Sequence, residues 1–256
     1  MSDWNSEQYL KFKKERTQPS IDLANRLDIE NPMRIIDIGC GPGNSTAVLK
    51  KRYPEAYVLG VDFSPNMIEK AMSEHSDINF MIFDATKDFD KLDERFDIVF
   101  SNACIQWVPN HKKLLADMMS ILNPDGIMSI QVPMNFEEPI HKILTELVTV
   151  EKWSGHFSER IFYTLTESEY FDILSELTEH FEVWKTTYCH RMPSHRSIIE
   201  WYKSTGMKPY LDVLNENEQE EFIADVMKEL KKKYPIQKNG EIIFRFPRFF
   251  MLAKKQ

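Results

Sequence analysis

The sequence predicts a doubly wound α/β fold with a mostly parallel sheet, and three observations carry that expectation. Short apolar runs alternate with helical stretches through the first half of the chain, and strand alternating with helix implies parallel strands joined by crossovers. The first of these runs delivers Asp37-Ile38-Gly39-Cys40-Gly41-Pro42-Gly43 to the start of a helix. Acids recur at the ends of the next two runs, at Asp62 and Asp84, where an open parallel sheet binds its ligands.

Residues 5–27 place Tyr9, Phe12 and Arg16 on one helical stripe and predict a lead-in helix outside the core. Strands follow at Arg34 to Ile38, Tyr57 to Val61, Ile78 to Phe83, Phe96 to Ser101 and Ile127 to Val132. Ser64 before Pro65 supplies an N-cap and a proline at the first helical position, and Asn123-Pro124-Asp125-Gly126 predicts the turn that introduces the fifth strand. Thr166-Glu167-Ser168-Glu169 reads as a capping box opening a helix through Leu177. A sixth strand is expected from Glu182 to Cys189 and a seventh near Glu241 to Leu252, with helices over 194–205 and 215–234 between them. The expectation is one domain: a lead-in helix or lid at 1–30, a ligand-binding core at 31–134, a helical cap at 135–165 and 190–238, and the sheet completed by 166–189 and 239–256.

Composition narrows the classes. At 256 residues the chain is long enough to bury a large core. Cys40, Cys104 and Cys189 lie far apart without metal-ligand spacing, which argues against zinc and a disulfide framework and suits a reducing cytoplasm. A net charge of -8 repels polyanions and disfavours nucleic acid. The N-terminus lacks the basic and apolar regions of a signal peptide, and no run is long enough to span a bilayer. The expected protein is cytoplasmic, a monomer or weak homo-oligomer.

Glycines at the strand-to-helix turn let a ligand press against the backbone, and the helix N-terminus attracts its negative end. Two ligands fit such a loop, a dinucleotide and S-adenosylmethionine. Counting from Gly39, the dinucleotide fingerprint puts its last glycine where Asn44 stands. The alternative D-x-G-x-G-x-G fits Asp37, Gly39, Gly41 and Gly43, with Asp37 placed to meet the ammonium of a methionyl group. Asp62 lies at the distance where a carboxylate accepts from ribose hydroxyls. Asp84 with the Ala85 N–H would read the adenine edge, and Met67 would cover the ring. A turn role competes at Asp84, because strand-end aspartates are common in turns.

The fourth strand ends in Ser101-Asn102-Ala103-Cys104-Ile105-Gln106-Trp107, expected to line the junction of cofactor and substrate, with Asn102 on the cofactor. It lacks both the D/N-P-P-Y/F element of amino methylation and a Pro-Cys nucleophile. Cys104 reads as a small buried residue, and Trp107 as a ring beside the sulfonium or a core tryptophan.

Over nearly its whole length the chain resembles the trans-aconitate methyltransferases, which are S-adenosylmethionine-dependent carboxyl methyltransferases. The likeness rests on Ser2-Asp3-Trp4-Asn5, Tyr9-Leu10, Phe12, Glu15-Arg16 and Pro19, on the loop from Asp37 to Thr46, and on Asn102-Ala103, Gln106-Trp107 and His111. It continues through Tyr188, His190, Met192-Pro193-Ser194-His195, Trp201, Thr205-Gly206 and Phe246-Pro247-Arg248. The resemblance implies the seven-stranded class I methyltransferase sheet, Rossmann-like, and esterification of an unsaturated tricarboxylate. After Thr205-Gly206 this chain reads Met207-Lys208-Pro209-Tyr210 where the family tends to Leu-Arg-Pro-Trp, and lysine lacks the bidentate fork of arginine.

A carboxylate with a pKa of about 4 is already the nucleophile at neutral pH, so no general base and no metal are expected. A polycarboxylate needs local cations instead. Arg16 beside Tyr9 is the first choice and Arg248, on an apolar strand face, the second. Trp107 and His195 complete the expected substrate contacts, with Trp4, Trp201, Arg160 and Lys208 as weaker candidates. Other readings are a different small acid, a carrier-bound carboxylate, or an S-adenosylmethionine-binding protein without catalysis.

Overall fold

The computed structural model describes residues 13–157, 163–203 and 205–256, with the side chains of Lys13, Lys14 and Arg16 outside that description. A seven-stranded sheet runs in the order β3-β2-β1-β4-β5-β7-β6. Its strands are β1 (Arg34–Ile38), β2 (Tyr57–Asp62), β3 (Asn79–Ile82), β4 (Phe96–Asn102), β5 (Leu122–Pro133), β6 (Phe181–Met192) and β7 (Ile242–Lys254). β1 to β5 pair in parallel and β7 returns antiparallel to β5, so the sheet is mostly parallel, as expected. Strand order reverses between β1 and β4, which makes their carboxyl ends the ligand-binding switch point.

The helices are α1 (Lys13–Asn25), α2 (Asn44–Arg52), α3 (Pro65–Glu74), α4 (His111–Ser120), α5 (Pro139–Leu147), α6 (Glu167–Leu177), α7 (His195–Lys203), α8 (Lys208–Leu211) and α9 (Glu216–Lys233). Local chemistry sets several of their starts. Ser64 accepts from the Met67 N–H ahead of Pro65 at α3. Thr166 and Glu169 close the expected capping box at α6, and Asn215 with Glu218 closes another at α9. β5 begins five residues before the expected Ile127. Phe96 pairs with Leu122 and Ile98 with Ile127, so the Asn123-to-Gly126 turn is a bulge inside the strand, with Asp125 at φ 63°.

The described chain divides into two compact units. One comprises 13–133, 163–186 and 248–256 and holds the parallel strands, with β1 and β4 buried along nearly their whole length. Within it α1 packs on α2 and on β5. The other, drawn from 134–161 and 187–247, has its own core of Trp153, Trp201, Tyr202, Phe222 and Phe244. No helix among the described residues is long and apolar enough to cross a membrane.

Candidate active site

Beyond Ile38 the chain turns through Gly39, Gly41 and Gly43, all at positive φ. Gly39 and Cys40 donate their N–H groups to the Val61 carbonyl at 2.7 and 3.0 Å, which fixes the loop against β2. A Cβ at Gly39 would lie 2.1 Å from Cys104 Sγ, so only glycine lets the β4 turn close on the loop. At Gly41 a Cβ would meet nothing within 4 Å. That open space beside bare backbone is room for a ligand.

Asp37 lies beneath the loop, fully buried. Its Oδ2 accepts from Ser45 Oγ at 2.6 Å and Thr46 Oγ1 at 2.7 Å, tying β1 to the first turn of α2. Oδ1 has no hydrogen-bond partner among the described residues. Burial raises the carboxyl pKa to about 6, and the Asp62 charge adds to the rise while the two hydroxyls oppose it. A ligand ammonium, direct or through a water, would supply both the missing donor and the countercharge, so the pocket fits the methionyl end of the expected cofactor.

Asp62, half-buried, holds the loop from the other side: Oδ2 accepts from the Gly41 N–H and Oδ1 from the Ser64 N–H, each at 2.9 Å. Each carboxylate oxygen can accept more than one donor, so ribose hydroxyls can share it. Met67 is buried at the start of α3. Asp84 has turn partners of its own. Its Oδ1 accepts from the Thr86 N–H at 3.0 Å and Thr86 Oγ1 at 2.7 Å, and its Oδ2 lies 3.2 Å from Lys87 Nζ. Burial opposes ionisation, but these bonds outweigh it and hold the carboxyl below its ordinary value. Asp84 therefore shapes its own turn, and because its oxygens, like those of Asp62, can accept further donors, the turn role and an adenine contact are compatible; half-buried Ala85 follows it.

At the switch point Ser101 Oγ donates to the Ile38 carbonyl at 2.8 Å, joining β4 to β1. Asn102 is half-buried, and its Oδ1 has no partner among the described residues. Ala103 follows at φ 55°, and its carbonyl accepts from Gln106 Nε2 at 2.7 Å. A 3-10 turn over Ile105–Trp107 leaves Trp107 38% exposed, which removes the core-tryptophan reading. His111 braces this turn. The Ile105 carbonyl can only accept, so His111 Nε2 carries the hydrogen of their 2.8 Å bond and Nδ1 accepts from Tyr170 Oη at 2.8 Å. Burial pushes the thiol pKa of Cys104 up, with the Asp62 and Asp37 charges adding to it, so the group stays protonated at neutral pH.

The expected substrate residues divide. β7 keeps register with β5 as far as Arg248, opposite Pro133, so Arg248 shares a sheet face with Phe250. The guanidinium is buried, and Nη1 donates to Gln131 Oε1 at 3.3 Å. Arg16 falls in α1 but its side chain, like Tyr9, Trp4 and Arg160, lies outside the described residues. His195 is buried in the helical unit, where Nε2 donates to the Tyr234 carbonyl at 2.8 Å and holds α7 to the end of α9. Trp201 is likewise core, packed on Phe244 and His190. Lys208 pairs with Asp212 at 2.6 Å. Sequence reasoning missed Ser45, Thr46 and Gln131. The available signal for Gln131 was a polar residue in an otherwise apolar strand, Ile130-Gln131-Val132.

The profile of a methyltransferase domain family matches residues 29–219. Trans-aconitate 2-methyltransferase of Escherichia coli O157:H7 is 41% identical over 256 residues, covering 100% of this chain and 99% of the relative. The protein of the same name from Shigella flexneri is 40% identical with the same coverage. Among solved structures, the YcgJ protein of Bacillus subtilis superposes with a TM-score of 0.61 at 16% identity, over 93% of this chain and 98% of that one.

Proposed function

The chain belongs to the trans-aconitate 2-methyltransferases, and on that premise we propose that it transfers a methyl group from S-adenosylmethionine to one carboxylate of trans-aconitate. When bound, S-adenosylmethionine supplies an electrophilic methyl group on a positively charged sulfur. The chain's own residues do the rest. Asp37 and the glycine loop hold the methionyl end and Asp62 the ribose, while Met67, Asp84, Ala85 and Asn102 complete the cofactor contacts. Trp107 and the two arginines, Arg16 and Arg248, orient the acid. The acceptor carboxylate is ionised at pH 7, so no residue removes a proton, and rate comes from holding two reactants in line in a water-poor site, where effective molarities of about 10⁵ M or more are attainable.

The observation that carries this reading is Arg248, a buried guanidinium on β7, on the sheet face of β1 that carries Asp37. Held by Gln131, the guanidinium keeps a positive charge at the carboxyl edge of the sheet, and such a charge attracts a polycarboxylate. The free cysteines Cys40, Cys104 and Cys189 support a cytoplasmic setting. Arg248→Ala and Arg16→Ala should each raise KM for trans-aconitate by about tenfold or more, the loss of a charge-assisted hydrogen bond of about 1.5–3 kcal/mol. Binding of S-adenosylhomocysteine, followed by calorimetry, should hold. Unchanged KM in both variants would remove the carboxylate clamp.

A further inference from the structure

Register places a line of polar side chains on one face of the sheet at its carboxyl edge. Asp37 on β1 pairs with Phe100, and Phe100 with Ser129; two residues on, Asn102 pairs with Gln131, which faces Phe250, and Arg248 faces Pro133. Residues two apart in a strand point the same way, so Asp37, Asn102, Gln131 and Arg248 share this face, with strands about 4.8 Å apart.

The buried polar atoms along the line sort by type. On β1 and β4 the atoms without a partner among the described residues are acceptors, Asp37 Oδ1 and Asn102 Oδ1. On β5 they are the Ser129 hydroxyl, which can donate or accept, and a pure donor, Gln131 Nε2, both on fully buried side chains. Arg248 settles which way the Gln131 amide points. A guanidinium only donates, so the oxygen must face Nη1, and the amide NH₂ is left for something else. A buried donor without an acceptor is costly and rarely retained without a use. The acceptor end suits a cationic ligand group and the donor end an anionic one.

We infer that Gln131 is a second ligand of the substrate carboxylates, its Nε2 donating to the acid while the Arg248 bond to Oε1 fixes the orientation of the amide. The inference rests on the proposed carboxyl methylation and adds a residue that sets its specificity for a polyanion. Gln131→Glu keeps the shape but puts a negative charge against the acid. Gln131→Met keeps the length and removes the donor. Both should raise KM for trans-aconitate at least tenfold, leave kcat within about threefold, and leave the affinity for S-adenosylhomocysteine unchanged. A variant that binds S-adenosylhomocysteine normally and keeps KM within twofold overturns the inference.

A crystal of the wild-type protein with S-adenosylhomocysteine and trans-aconitate gives a test independent of the variants. An acid oxygen within hydrogen-bond reach of Gln131 Nε2 supports the assignment, and an acid bound away from it overturns it. The parent reading fails separately, if the wild-type protein makes no ester from trans-aconitate.

Discussion

A carboxyl group whose pKa stands at about 6, with one oxygen lacking a donor, titrates inside the range where binding is measured. In the ligand-free protein the raised value means that the folded state holds a proton between pH 3.8 and 6 that the unfolded chain has released. The Asp37 contribution to stability is therefore full below 3.8 and lost as pH rises through 6. A ligand ammonium reverses the preference, because it pairs only with the ionised form. Affinity for S-adenosylhomocysteine should fall as pH drops from 7 to 5, and binding near pH 6 should release protons. Titration calorimetry in buffers of different ionisation enthalpy measures both, and a pH-independent affinity would remove Asp37 from the ammonium site.

Gly39 and Gly41 show at the same scale why one motif holds two kinds of glycine. Gly39 gives way to Cys104 and serves the fold, whereas Gly41 opens on space, where the proposed cofactor would press against the backbone. Their spacing was legible in the sequence, but their difference was not, since it depends on the β4 turn arriving from sixty-odd residues away.

Elements were most legible where a local device marks them. β1 falls at the expected Arg34–Ile38, and the capping box at Thr166 and the N-cap at Ser64 open α6 and α3 as read. What the sequence concealed was long-range. The Asn123-to-Gly126 turn has ordinary turn chemistry, yet Leu122 beyond it rejoins the sheet by pairing with Phe96. Asp84 carries the residue type of an adenine ligand, and its second role, in the turn with Thr86 and Lys87, is visible only in the folded chain. Gln131 and Arg248 are far apart in sequence and meet only because β7 lies beside β5.

The brace between α4 and α6 also belongs to this scale. Tyr170 on α6 donates to His111 on α4, and His111 in turn holds the turn that presents Gln106 and Trp107. Tyr170→Phe leaves His111 Nδ1 without its donor and should destabilise the protein by about 1–3 kcal/mol. Burial lowers the His111 pKa, so its contribution to stability is present above 6.5 and lost as pH falls below that value. Denaturant unfolding at pH 7.5 and 5.5 should show the wild-type protein losing part of its margin at the lower pH. An unaltered midpoint in Tyr170→Phe would mean the brace does not hold the turn.

Across the whole molecule, a net charge of -8 would repel an acidic substrate unless cations were concentrated where it binds. On the proposed reading the parallel-sheet unit meets that need with a buried arginine at its carboxyl edge, and the glycine loop occupies the switch point of the same sheet. The helical unit is stabilised by its own aromatic core, in which Trp153 meets Phe222 edge-on at 5.2 Å. This division follows chain segments that leave and re-enter the sheet unit, and composition alone shows no linker to mark it.

The central claim is that a methyl group moves from sulfur to a carboxylate oxygen. S-adenosylmethionine labelled in the methyl group, incubated with the protein and trans-aconitate, tests it most directly. The expected product is a monomethyl ester whose label is released as methanol by mild alkali. Label that stays with the acid after alkali, or no label transferred to trans-aconitate at all, would contradict the account.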